Sequence, residues 1–180
     1  MSSSSQNWQR PWWLSFLDRT NITVTAITTI SILLTRSAGV AYVGAGAVAC
    51  SLSVKVLKRG IQQPRPVLGK KKSYGMPSTH SASSGFFLAY VPLACLYLPL
   101  HPSVPGGVVA RVLVPVVVVP WAAMIVLSRV WLGHHTWAQV TVGCAYGIVF
   151  AGMWFMLWTQ GLVEYGRTAE DLADSIFGWR

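Results

Sequence analysis

The chain has 180 residues, enough for one domain; 53% are hydrophobic and only 11% charged, against about a quarter charged in an ordinary soluble domain. That balance excludes a typical water-soluble globule and points to lipid as the solvent. A net charge of +9, from 14 Lys and Arg against 5 Asp and Glu, calls for a partner bearing phosphate or an anionic surface; with no zinc-finger, homeodomain or RNA-binding signature around the basic cluster from Lys55 to Lys72, nucleic acid is set aside.

Residues 1–19 form a polar, Ser- and Trp-rich segment. It lacks the basic region, apolar stretch and small-residue cleavage site of a secretory leader, so the first hydrophobic helix is expected to direct insertion. Trp12 and Trp13, with Trp8 nearby, suit an interfacial anchor ahead of that helix.

Residues 20–160 read as a membrane-embedded domain. A spanning helix needs about 20 largely apolar residues to cross a hydrocarbon core of about 30 Å. The first run, Ile22 to Leu34, spans only if all of Thr20 to Thr35 is used or the helix tilts. Ser37 to Leu57, Ser83 to Leu100, Gly107 to Leu127 and Val140 to Trp158 are stronger. The expected fold is all-α: a polytopic transmembrane helix bundle of four or five spans with a basic catalytic loop at one membrane face. Pro115 and Pro120 predict a kink in the fourth run, since membrane helices tolerate proline where neighbours resatisfy the freed carbonyls. Cys50, Cys95 and Cys144 are widely spaced in apolar stretches and read as small core residues. Trp121, Trp154, Phe155 and Trp158 read as lipid-facing or belt aromatics. Residues 161–180, which hold Glu164, Glu170, Asp171 and Asp174, read as a short polar helix outside the bilayer.

Topology then follows by counting. The Arg59 to Met76 loop lies on one face, the short His101 to Gly106 turn on the other, and the fourth run returns the chain to the first. Segments 58–80 and 128–139 therefore share a membrane side, and the polar clusters of the body converge there.

Within those segments lie Lys58, Arg65, Ser78, Thr79, His80, Arg129 and His135. Phosphoryl transfer needs these residue types: cations for the non-bridging oxygens, a nucleophile, and a proton donor for the leaving oxygen. Lys58 and Arg65 suit the first task, and Arg129 offers a planar fork. Ser78 adds a hydroxyl, and the free N–H groups where Pro77-Ser78-Thr79-His80 opens an apolar helix face the same anion. A neutral His135 can attack phosphorus, while His80 protonates the departing oxygen and later helps activate water. If the stretch is helical, Gln139 falls on the face of His135, where its carbonyl can hold Nδ1–H and present Nε2.

The ordered pattern of Lys58, six residues, Arg65-Pro66, then Pro77-Ser78-Thr79-His80, then Ser128-Arg129, five residues, His135 resembles the three-part signature of the type 2 phosphatidic acid phosphatase and haloperoxidase superfamily. The usual second motif has Gly in place of Thr79, and the usual third ends in Asp in place of Gln139. Gln63-Pro64-Arg65-Pro66, Gly75-Met76-Pro77-Ser78-Thr79-His80-Ser81 and His135-Thr136-Trp137-Ala138-Gln139-Val140 are similar to the dolichyldiphosphatase branch, where Gln is expected at that last position. The resemblance covers roughly Ser37 to Trp158. It implies an endoplasmic reticulum membrane enzyme that converts dolichyl diphosphate to dolichyl phosphate for N-glycosylation, with a lumenal active site and no metal or other cofactor. His135, His80 and Gln139 would serve catalysis; Lys58, Arg65, Ser78, Thr79 and Arg129 would bind phosphate.

Taken singly, Lys58 and Arg65 suit a juxtamembrane patch for lipid headgroups, as Lys70, Lys71 and Lys72 do. Ser78 alone is a helix N-cap, His134 a rim residue and His101 a loop histidine on the far face. No Gly-x-Ser-x-Gly elbow supports a Ser–His esterase. The alternatives are a broader lipid phosphatase acting on phosphatidate, lysophosphatidate or a sphingoid phosphate, and a non-catalytic headgroup-binding membrane protein. The two histidines argue against the latter, since anion binding alone needs only Lys and Arg. Lys and Arg predominate on the catalytic face, which the positive-inside rule would place in the cytosol, against the resemblance.

Overall fold

The structure, a computed structural model, describes residues 12–66, 73–104 and 106–178; Lys70, Lys71, Lys72 and Trp8 lie outside them. The described residues are helical or in loops, with α1 Trp12–Asp18, α2 Thr20–Thr35, α3 Ala38–Ile61, α4 Thr79–Tyr97, α5 Val108–Trp131, α6 Trp137–Leu157 and α7 Val163–Phe177, the last two joined by a π turn over Trp158–Leu162. The fold is the expected all-α bundle. By length and composition, 3 helices suit a membrane crossing: α3, α5 and the continuous Trp137–Phe177 path. The Thr20–Thr35 helix is shorter but apolar. Helix α4, with 19 residues, is long enough, but its first turns carry Thr79, His80, Ser81, Ser83 and Ser84. It packs against α3, α5 and α6 at once, so its polar face meets protein rather than lipid.

The starts of α4 and α6 depart from the hydropathy limits by a few residues, and caps are the cause. Ser78 accepts from the backbone N–H of Ser81, starting α4 at Thr79 rather than Ser83. Thr136 and Gln139 form a reciprocal capping box that starts α6 at Trp137. Helices α3 and α5 run on to Ile61 and Trp131, so Lys58 and Arg129 sit in last helical turns. Pro115 and Pro120 lie within the single continuous α5.

The bundle is apolar outside, and within it an apolar core around Val54, Phe86 and Tyr90 adjoins a buried polar cluster. Val108 is 76% and Leu34 74% exposed, while Lys58, Ser78, Ser81, Ser128, Arg129, His135 and Gln139 are buried. Among the described residues no buried side-chain nitrogen or oxygen lacks a hydrogen-bond partner, as a water-free surround demands. The aromatic reading needs one correction. Trp154 stacks on Tyr42 at 4.8 Å and Trp158 lies 4.6 Å from the same ring. The Tyr42 hydroxyl donates to the Trp154 carbonyl and the Trp154 indole N–H to the Tyr42 carbonyl. Their polar handles find partners inside, so these rings brace α3 on α6 instead of facing lipid.

Helices α4 and α6 touch backbone to backbone. A Cβ on Gly147 would run into the Ala82 carbonyl, and one on Gly85 into the Cys144 carbonyl. This contact aligns the N-termini of both helices at one end of the bundle, beside the C-termini of α3 and α5. At the other end the tail is docked: Glu170 of α7 accepts from the Ala38 N–H and lies 3.5 Å from Nε2 of His101. His101 is therefore a partner of the tail rather than an isolated loop residue.

Gly147→Leu should drive α4 from α6 and cost at least about 2 kcal/mol, read as a lower Tm in detergent. Gly152→Leu, on the same helix with nothing within 4 Å of the new Cβ, should leave Tm near wild type.

Candidate active site

Where the four helix ends meet there is a cavity of about 350 Å³. Helix α3 contributes Lys55 and Lys58, the following loop Arg65 and Ser73, the first turn of α4 Thr79 and His80, and the α5–α6 corner Arg129, His134 and His135. The cavity thus joins segments 58–80 and 128–139.

Arg65 ties the two segments together. Its Nε donates to the Ser73 carbonyl at 2.9 Å and Nη2 to Ser73 Oγ at 3.1 Å. Its Nη1 donates to the His134 carbonyl at 3.1 Å and stands 3.0 Å from His135 Nε2. Arg129 is 1% exposed. Nε and Nη2 donate to Ser128 Oγ, and Nη2 also to the Leu17 carbonyl at the end of α1. Asp18 Oδ1 lies 3.6 Å from Arg129 Nη1 and 2.9 Å from His134 Nε2. The fork of Arg129 is thus held from behind by α1, and His134 is paired as well as cavity-lining. Trp13 rests edge-on against Trp131 at 6.2 Å, fixing α1 there.

Two sequence-selected residues, Ser78 and Gln139, do not line the cavity; Gln139 stands behind His135, and Ser78 serves the helix. Ser78 is fully buried, caps α4, and accepts from the Ser81 hydroxyl at 2.9 Å. The capping reading describes its position, and Thr79 faces the cavity in its place.

His135 precedes the N-cap of α6, so a shared helix face does not explain its meeting with Gln139. The capping box does: Gln139 Oε1, turned back to accept from the Thr136 N–H at 3.3 Å, also reaches His135 Nδ1 at 3.1 Å. Gln139 Nε2 donates to the Pro64 carbonyl at 2.9 Å and Gln63 Oε1 at 3.2 Å. A peptide N–H can only donate and a carbonyl only accept, so both ends of the amide are assigned. Oε1 must accept, which places the His135 proton on Nδ1. Arg65 can only donate, which leaves Nε2 with its lone pair. A Cβ on Gly75 would strike the Gln139 amide, so glycine there admits the latch.

Burial lowers the His135 pKa to about 3; Arg65 pushes the same way, the Gln139 hydrogen bond opposes, and Lys58 and His80 add to the fall. At neutral pH the imidazole is therefore an uncharged base among cations. Asp18, the Leu17 carbonyl and Ser73 went unnoticed in the sequence. Asp18 carried one signal, being the only acid before Glu164.

The chain matches the PAP2 superfamily over residues 36–162. It is 35% identical over 109 residues to dolichyldiphosphatase 1 of Mus musculus, covering 57% of this chain and 45% of that protein. It is 33% identical over 117 residues to dolichyldiphosphatase 1 of Dictyostelium discoideum, covering 61% of this chain and 46% of that protein. The chain thus spans about half the length of these curated relatives. Its fold is similar to the crystal structure of a transmembrane PAP2-type phosphatidylglycerolphosphate phosphatase from Bacillus subtilis. The TM-score is 0.65 at 19% identity, covering 86% of this chain and 80% of the other.

An imidazole in an unfolded chain titrates near 6.5, well above the value of about 3 for folded His135. The unfolded state takes up that proton first, so stability present above about pH 6.5 is lost as pH falls toward 3. His135→Gln removes this titration, and its Tm should fall less than that of wild type between about pH 7 and about pH 4.5. An equally steep fall would contradict a buried neutral imidazole.

Proposed function

The chain belongs to the PAP2 superfamily, and from that premise we propose that it is a membrane lipid phosphatase releasing the terminal phosphate of a lipid diphosphate through a phosphohistidine at His135. The observation that carries this reading is the buried imidazole with Nδ1–H held by Gln139 and its Nε2 lone pair turned toward Arg65 in the cavity.

Lys58, Arg65 and Arg129 would bind the non-bridging oxygens, supplying the charge neutralisation that other phosphatases take from metal ions. Arg65 is the cation to follow. Its Nη1 points at the nucleophilic lone pair, and an anionic oxygen, as the stronger acceptor, would draw it away and free Nε2 for attack. The Nε2–P bond forms as the bridging P–O bond breaks, and His80 donates its proton to the leaving lipid phosphate. In the second half His80 takes a proton from water, the water oxygen attacks phosphorus, and the N–P bond breaks to release phosphate. His135 is restored as the Nδ1–H tautomer, with the amide of Gln139 as its fixed acceptor.

The similarity to dolichyldiphosphatase 1 supports dolichyl diphosphate as substrate and dolichyl phosphate as product. An endoplasmic reticulum location, with this end of the bundle in the lumen, belongs to the same proposal. The cradle fits any terminal lipid phosphate, so phosphatidate, lysophosphatidate and a sphingoid phosphate form the alternative, which a substrate panel decides. A glycosylation acceptor placed in the 59–76 loop would be modified only if that end faces the lumen.

Purified protein should release phosphate from a polyprenyl diphosphate in excess EDTA. His135→Ala should lower kcat/KM by at least about a thousandfold, and an acid-labile, alkali-stable phosphoenzyme should be trapped only with His135 present. Full activity of His135→Ala would remove the nucleophile assignment.

A further inference from the structure

The cavity contains one cation that the steps above do not use. Lys55 lies one helical turn before Lys58 and on the same face of α3, and both line the cavity. Lys58 is buried and Lys55 exposed. Among the described residues Lys55 has no hydrogen bond or ion pair.

Its level in the bundle follows from a neighbouring contact. Ser51 of α3 and Ser83 of α4 share a hydrogen bond of 2.8 Å between antiparallel helices. Four residues on from Ser51 is Lys55, and four back from Ser83 is Thr79, so Lys55 stands beside Thr79 and His80, about 6 Å along from the serine pair. Helix α3 runs toward the site, which puts Lys55 on the membrane side of Lys58. Its neighbours Leu52 and Val56 are 53% and 68% exposed, so Lys55 marks the border between the lipid-facing flank of α3 and the cavity.

In-line displacement places the leaving oxygen opposite the attacking Nε2 of His135, and His80, which lines the same cavity, is its proton donor in the reading above. In a phosphate monoester an alcohol carbon follows that oxygen. In a diphosphate a second phosphate follows, and its charge next to lipid is costly without a partner. We propose that Lys55 is that partner: it binds the lipid-side phosphate and sets a preference for diphosphates over monophosphates. This rests on the cavity being the phosphoryl-transfer site.

The test compares kcat/KM for one prenyl diphosphate and its monophosphate. In Lys55→Gln the diphosphate-to-monophosphate ratio should fall about tenfold, the scale of one charge-assisted hydrogen bond, and Lys55→Arg should restore it. A ratio unchanged in Lys55→Gln, or an equal loss on both substrates, overturns the role of Lys55 while leaving the catalytic reading intact. Failure of wild type to release phosphate from either lipid overturns both. Because Lys55 is exposed, loss of folding does not stand in the way.

Discussion

One side-chain amide holds the site together. Gln139 accepts through Oε1 from His135 and the Thr136 backbone, and donates through Nε2 to Pro64 and Gln63. Each end of the amide faces a group that can act in only one sense, so the amide has one orientation, the imidazole one tautomer, and the loop after α3 one docking position. A carboxylate there would face the Pro64 carbonyl with no hydrogen to offer. Glutamine in place of the superfamily's usual acid is thus matched by its surroundings: a glycine at 75 that leaves it room and a carbonyl in need of a donor.

The electrostatics follow from that placement. Lys58, Arg65 and Arg129 surround the imidazole, and the one carboxylate near them, Asp18, is turned to Arg129 and His134. An arrangement with so little internal compensation favours an anion and disfavours a proton on His135, since burial and neighbouring cations act in the same direction. The environment that attracts phosphate also keeps the imidazole neutral.

Much of this was legible in the sequence because membrane topology reduces to counting. Given four long apolar runs, the segments carrying Lys58, Arg65, His80, Arg129 and His135 had to share one end, and the cavity holds all five. Helix limits were less legible, since hydropathy marks where lipid contact begins and capping side chains mark where hydrogen bonding begins. Ser78 and Thr136 show the difference. Trp154 and Trp158 were misplaced because aromatic composition does not distinguish a lipid belt from a stacked interhelical brace. The contact of α1 with Arg129 had no periodicity or motif spacing to announce it; it is a tertiary contact between residues 112 positions apart.

That long-range contact bears on how the protein is made. The peptide at the end of α1 is synthesised early, yet the guanidinium it grips belongs to a helix threaded into the membrane much later. Before α5 is made, Leu17 and Asp18 lack the Arg129 that they hold in the finished fold. The anion pocket is closed only by one of the last helices to enter, so a nascent chain has no working pocket before its bundle is nearly complete.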